Sequence, residues 1–230
     1  MTDWHSHILP QMDDGSKSVE ESIALLKALK GQGVNRVIAT PHFYANDETV
    51  EDFIKRRQKA FEKVSAHLND ELPNVLLGAE VSFYSGISRL DGIGRLKIEN
   101  TDLLLLEMPF SCWTEYIVRE LLELSSSGEF TIMLAHIERY FSLQNASVWQ
   151  RLYDSGILMQ SNASFFNDFF KKKKAINLLK SEKIHFIGSD CHNMTSRPPE
   201  LQKAYDYITK KLGEEFLRYT NENSKIFSYK

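Results

Sequence analysis

Short runs of apolar and β-branched residues alternate along the chain with longer stretches whose apolar positions recur every three or four residues. The first pattern predicts buried strands and the second predicts amphipathic helices. Strands are predicted at Thr2–His5, Val34–Thr40, Val75–Ala79, Asp102–Glu107, Thr131–His136, Ile157–Ser161 and Ile184–Gly188. Their continuous apolar character suits a parallel sheet covered by helices. Helices are predicted at Val19–Gly31, Glu48–Asn69, Thr114–Ser126, Ser147–Asp154, Lys171–Ser181 and Pro198–Leu212, with a last one around Glu214–Tyr219. Ser18 and Glu21 have the spacing of a capping box for the first of these, and Gly31 and Gly33 release the chain at its end. The polar helix Glu48–Asn69 keeps Phe53, Phe61 and Val64 as apolar positions, and the glycines of Ser85–Arg95 predict a loop with a short helical turn. Strand–helix alternation of this kind predicts an α/β fold, a parallel (β/α) barrel one unit short of eight; an open doubly wound sheet is the alternative.

Composition narrows the picture. The 230 residues are 42% hydrophobic and 26% charged, which fits one globular domain over residues 1–230. No internal repeat or low-complexity linker interrupts it. The net charge of −3 offers no basic surface for nucleic acid, so a phosphorylated substrate would have to be attracted locally. Two cysteines, Cys112 and Cys191, are too few for a disulfide framework and suit a reducing cytoplasm. The start of the chain lacks the pattern of a signal peptide, and the apolar run Leu103–Leu106 is far too short to cross a bilayer. The lysine run Lys171–Lys174 reads most simply as a solvated helix face, with a substrate-steering patch as the alternative.

The chemistry lies in where the histidines and carboxylates fall. Five of the seven histidines, His5, His7, His42, His136 and His192, stand at or just past the C-terminal end of a predicted strand. Glu80, Glu107 and Asp190 stand at such ends too, and Asp13 and Asp14 follow in the first loop. In parallel β/α folds that edge gathers the active site. His5-Ser6-His7 in extended backbone projects two imidazoles the same way, and Asp190-Cys191-His192 repeats the geometry with a carboxylate and an imidazole. Mixed imidazole and carboxylate donors suit Mn, Fe or Zn, and bridging carboxylates can hold two cations for an in-line phosphoryl transfer. His67, inside a helix, and His185, at the start of a strand, lie elsewhere and are expected to be structural. Arg139 and Arg197 follow His136 and His192 closely and could fork onto phosphate oxygens; a surface ion pair, such as Arg139 with Glu138, is the bland alternative.

Cys191 and Arg197 also satisfy the Cys-x₅-Arg spacing of cysteine-dependent tyrosine phosphatases. The intervening His-Asn-Met-Thr-Ser lacks the glycine that lets backbone approach phosphate closely, so Cys191 is expected to be a small buried hydrophobe.

Taken together, Asp3-Trp4-His5-Ser6-His7, Asp13-Asp14-Gly15, Thr40-Pro41-His42, Gly78-Ala79-Glu80, His136 and Ser189-Asp190-Cys191-His192 resemble the motifs of the polymerase and histidinol phosphatase (PHP) superfamily. Within it, His5-Ser6-His7-Ile8-Leu9-Pro10 and His136-Ile137-Glu138-Arg139-Tyr140 are similar to the CpsB/CapC type, over essentially the whole chain. The resemblance implies a distorted seven-stranded barrel and a bacterial protein-tyrosine phosphatase that hydrolyses phosphotyrosine by a metal-bridged hydroxide. It implies two to three divalent metals, commonly Mn, with Fe, Zn or Mg as alternatives. His5, His7, Glu80 and Asp190 would hold the first, Glu80, Glu107 and His136 the second, and Asp14, His42 and His192 the third, while Arg139 and Arg197 would contact phosphate. The partner implied is the tyrosine-rich tail of a membrane-associated bacterial tyrosine kinase of capsule or exopolysaccharide synthesis, and homo-oligomers are frequent in the family. Gln11-Met12 and Ser16 depart from the family pattern without removing a ligand; they bear on the shape of the first loop. Competing expectations are a small-molecule phosphatase, such as one for histidinol phosphate, and a non-catalytic metal-binding docking module.

Overall fold

The computed structural model describes residues 1–216. In chain order it contains β1 (Thr2–Ser6), α1 (Val19–Gly31), β2 (Arg36–Ala39), β3 (His42–Phe43), α2 (Val50–Ser65), β4 (Asn74–Leu77), β5 (Glu80–Ser82), β6 (Leu103–Glu107), α3 (Glu115–Ser125), β7 (Thr131–Leu134), α4 (Ala146–Asp154), β8 (Leu158–Asn162), α5 (Ala163–Asn167), α6 (Lys172–Lys180), β9 (Phe186–Gly188) and α7 (Leu201–Leu212). Of the helix expected around Glu214–Tyr219, Glu214, Glu215 and Phe216 are helical, and the remaining positions lie outside the described residues.

All strand pairs are parallel, in the orders β1-β2-β4 and β3-β5-β6-β7-β8-β9. β2 and β3 are one path interrupted at Thr40 and Pro41, because proline has no N–H for the ladder. β4 and β5 are likewise interrupted at Gly78 and Ala79. Hydrogen bonds carry the path across both gaps: Gly78 N–H donates to Ala39 O (2.8 Å) and Glu80 N–H to Pro41 O (3.0 Å). On the other side β9 returns to β1. Asp190 N–H donates to His5 O (2.8 Å), His7 N–H to Cys191 O (2.9 Å), and Ser6 forms a parallel bridge with Cys191. Seven strand paths therefore close into a distorted (β/α)₇ barrel, and the open-sheet alternative is set aside.

Helix ends follow local chemistry. Ser18 Oγ accepts from Glu21 N–H (3.2 Å), and the Glu21 carboxylate reaches Lys17 N–H (2.8 Å), one residue further out than a capping box requires. α2 is shorter than predicted at both ends: Thr49 caps its start, accepting from Asp52 N–H at 3.1 Å, and the helix ends at Ser65 rather than Asn69. α7 opens at Leu201, past Pro198, since a residue that precedes proline avoids helical backbone. α5 was not predicted; five residues are too few to show a helical period.

β6 shows how the core divides. Leu104 and Leu106 join the cluster beneath the helices, whereas Leu103 and Leu105 join Trp4, Ile38, Ile98, Met133, Ala135 and Phe186 in a second cluster inside the barrel. Period-two alternation produces this split, and the inward parity continues to Glu107 at the strand end. The inner cluster is a dry floor, with the rings of Trp4 and Phe186 4.5 Å apart. Above it the β1 register slips between Asp3 and Ser6. Trp4 thus packs on Phe186 while the next residue, His5, meets Gln160 and Glu80.

Candidate metal centre

The strand ends deliver five imidazoles and four carboxylates to one mouth. His5 Nε2 and His7 Nε2 are 3.1 Å apart, and each is 3.2 Å from Glu80 Oε2. Asp190 Oδ1 lies 3.7 Å from the first and 3.5 Å from the second. The other oxygen of Glu80 is 2.8 Å from His136 Nε2, which is 3.4 Å from Glu107 Oε1. On the opposite side Asp14 Oδ1 lies 3.2 Å from His192 Nε2 and 3.9 Å from His42 Nε2. His42 joins two groups, since its Nδ1 is 3.2 Å from Glu80 Oε2. Three sets of donor atoms close enough to share an ion follow: His7, Asp14, His42 and His192; His5, His7 and Asp190; and His42, Glu80 and Glu107. All nine side chains expected from the sequence converge, with His42 and His7 each more central than the three-way partition implied.

The proton inventory shows that a cation fits. His7 Nδ1 is 2.7 Å from Asp13 Oδ2 and His5 Nδ1 is 3.3 Å from Gln160 Oε1; both neighbours only accept, so both Nδ1 atoms carry the hydrogen. The facing Nε2 atoms are then bare lone pairs, 3.1 Å apart and surrounded by carboxylate oxygen. His192 repeats this: Nδ1–H donates to Asp190 O (3.0 Å), and its Nε2, buried without a hydrogen bond, faces Asp14. His42 Nδ1 is also buried without a hydrogen bond. Lone pairs aimed at one another across short gaps need positive charge between them, and divalent ions supply it.

The comparisons with known proteins agree with this geometry. The sequence model of the CpsB/CapC family, described as capsular polysaccharide synthesis, matches residues 1–226. The chain belongs to the CpsB/CapC family. It is 36% identical to the tyrosine-protein phosphatase CpsB of Streptococcus pneumoniae, over 93% of this chain and 91% of that protein. It is 30% identical to the tyrosine-protein phosphatase YwqE of Bacillus subtilis, over 98% and 91%. A chain from the crystal structures of YwqE and CpsB, described as metal-dependent tyrosine phosphatases, superposes with a TM-score of 0.80 at 28% identity, over 99% of this chain and 94% of that one. A histidinol phosphate phosphatase from Lactococcus lactis shares the fold, with a TM-score of 0.58 at 15% identity, over 91% and 92%.

Charge in this CpsB/CapC mouth is tightly balanced. Burial would push Glu80 and Asp190 up, yet the facing histidines hold both well below the usual carboxylate range. Burial would pull His7 down, but Asp13, Asp190 and Glu80 hold it well above its ordinary value. Without a cation, protons take the cation's place at the mouth. His192 is pushed down to about 4 by burial and by the charge of His7. His136 and Asp190 also take left-handed backbone, with φ of 33° and 53°. For residues other than glycine that conformation costs about 1–3 kcal/mol and concentrates at functional sites.

Both arginines reach the same carboxylate. Arg139 Nη2 and Arg197 Nη2 each donate to Asp190 Oδ2, the latter at 2.8 Å, and Arg197 Nη1 is 3.8 Å from Asp14 Oδ2. Glu138 does not pair with Arg139; it is partly buried and accepts from Ser161 Oγ and Asn162 N–H. Cys191 is wholly buried, and burial pushes its thiol far up, away from the thiolate a nucleophile needs. His67 is exposed, and His185 accepts from Met159 N–H at the other end of the barrel.

Of the residues that aim the donors, the sequence pattern places Asp13 at the mouth without a role and singles out neither Gln160 nor Asn162. Asp13 orients His7 and accepts from His42 N–H (2.9 Å). Gln160 Oε1 faces His5 and accepts from His136 N–H (2.7 Å), while Asn162 Nδ2 donates to Asp190 Oδ2 (2.8 Å). Two amides two residues apart in a buried strand were the available signal, since a buried amide demands partners.

Proposed function

We propose that this chain is a metal-dependent protein-tyrosine phosphatase. The observation that carries the reading is the convergence of nine donors beside two arginines at one barrel mouth, in a chain of the CpsB/CapC family. His5, His7, Glu80 and Asp190 would hold one ion, Glu80, Glu107 and His136 a second, and Asp14, His42 and His192 a third, with manganese the first candidate and Fe, Zn or Mg the others. Such ions, when bound, bring the pKa of water toward neutrality and neutralise phosphoryl charge.

The chain's own residues do the rest. Asp13 and Gln160 fix the imidazole tautomers, so the lone pairs point into the mouth before substrate arrives. Arg139 and Arg197 release part of their hold on Asp190 to fork onto the equatorial phosphate oxygens. Two exposed rings flank the donors and suit an aryl ester. Tyr44, 43% exposed, stacks on His42 at 5.3 Å, and Phe110, 60% exposed, lies 5.4 Å from Tyr140 and under the Arg139 guanidinium. A phenolate leaves with a pKa of about 10, so it needs less protonation than an alkoxide.

The physiological substrate in this reading is the phosphorylated tail of a bacterial tyrosine kinase of capsule or exopolysaccharide synthesis. The chain acts as one domain in the cytoplasm, and no described helix is long and apolar enough to cross a membrane. The test compares kcat/KM on a phosphotyrosine peptide, a phosphoserine peptide and histidinol phosphate with manganese present. The phosphotyrosine peptide is expected to exceed the others by at least tenfold; a preference for histidinol phosphate would make the chain a small-molecule phosphatase, and no turnover at all would leave a docking module.

A further inference from the structure

The turn between α5 and α6 carries the most exposed large apolar side chains among the described residues, Phe169 at 76% and Phe170 at 89%. Their rings meet edge to face at 5.4 Å, so they form one apolar knob. Asp168 Oδ1 accepts from the N–H groups of Phe170 (2.8 Å) and Lys171 (3.0 Å), which fixes the turn and holds the rings outward. Lys171, Lys172, Lys173 and Lys174 follow directly. Lys172 Nζ stands 4.9 Å over Phe169 and 5.3 Å over Tyr207, and Lys211 Nζ is 5.9 Å from the same tyrosine ring. Asp168 lies 3.7 Å from Lys171. In a chain with a net charge of −3, this is a local cationic patch around an apolar tip.

We propose that the Phe169–Phe170 knob and its lysines dock the protein on an anionic lipid surface. Aromatic rings settle at the level of the headgroups, and ammonium groups meet lipid phosphates within a Debye length. A peptide partner would need a groove to receive it, whereas these rings project from a convex turn. Placement adds a consequence. β8 ends at Asn162, whose amide touches Asp190, and the five residues of α5 span only about 7–8 Å before the turn begins. The knob therefore sits on the rim of the barrel mouth, and docking brings that mouth beside segments held at the lipid surface.

Co-sedimentation of the full chain with vesicles tests this. The probes are vesicles of phosphatidylcholine alone and of equal parts phosphatidylcholine and phosphatidylglycerol. Partitioning to the anionic vesicles only, weakened by added salt, is expected. The double variant Lys171→Ser/Lys173→Ser should bind about twenty-fivefold more weakly, at about fivefold per lysine, and Phe169→Ser/Phe170→Ser should lose binding. Both should keep wild-type thermal midpoints and wild-type turnover of a soluble aryl phosphate. Equal binding to both kinds of vesicle, no binding, or variants that bind like the wild type would overturn the proposal. So would capture of an acidic tyrosine-containing peptide that the same variants abolish while vesicles go unbound.

Discussion

His136 and His185 stand at opposite ends of the same barrel, each largely removed from water, and the protein drives their protons in opposite directions. Burial pulls both down. At the mouth, Glu107 and Glu80 outweigh it and lift His136 to about 9. At the far end burial prevails and takes His185 down to about 4. The Met159 N–H pointing at His185 Nδ1 from 3.0 Å suits only the neutral ring. One residue type thus becomes part of a charged site or part of the apolar frame according to which end of a strand it occupies. The floor of Trp4, Ile38, Leu105, Met133 and Phe186 separates the two environments and keeps the mouth's charges facing one another rather than water.

The strongest way to break this contrast is to empty the mouth. Glu80→Ala should lower turnover by at least about a thousandfold and reduce bound metal, read by steady-state assay with elemental analysis, because Glu80 touches His5, His7, His42 and His136. At the other end, the effect is on stability. His185 has a folded pKa below its unfolded value of about 6.5, so the unfolded chain takes up the proton first. Stability from this group is complete above pH 6.5 and is lost as pH falls toward about 4, by at most about 3 kcal/mol. His185→Asn keeps an acceptor for Met159 N–H and cannot titrate. Denaturant unfolding at pH 7 and pH 4.5 should show a smaller acid loss in the variant than in the wild type; equal losses would contradict the assignment.

Returning to the mouth, Arg139→Ala should cut kcat by about a hundredfold with metal content unchanged, and wild-type turnover would remove the arginine from the account. Asp13→Ala leaves His7 without its Nδ1 partner and should weaken metal affinity by about tenfold or more, measured by titration against a competing chelator. The smallest effect belongs to Cys191→Ser, which should leave turnover within about twofold, because the thiol is buried and protonated.

Much of this was legible in the sequence. The seven strand paths and most helices announce themselves by apolar period, and strand ends alone pick out His5, Glu107, His136 and Asp190. The division of donors among ions came instead from resemblance to a family, and the structure gives His42 and His7 more shared positions than that division implied. Three features were not legible. Breaks at Pro41 and Ala79 turn two strand paths into four short strands, and each continues too briefly to show a period. Asp13 and Asp14 are adjacent and chemically alike, and only the loop's fold sends one behind His7 and the other toward His192. Gln160 and Asn162 contact His5 and Asp190 from positions far away in sequence, which no local pattern reports.

Metal content and activity measured together test the central claim most directly. Purified protein should contain two to three divalent ions per chain by elemental analysis. Hydrolysis of an aryl phosphate should disappear on chelation and return with added manganese. Undiminished hydrolysis by protein shown to be stripped of metal would contradict the account.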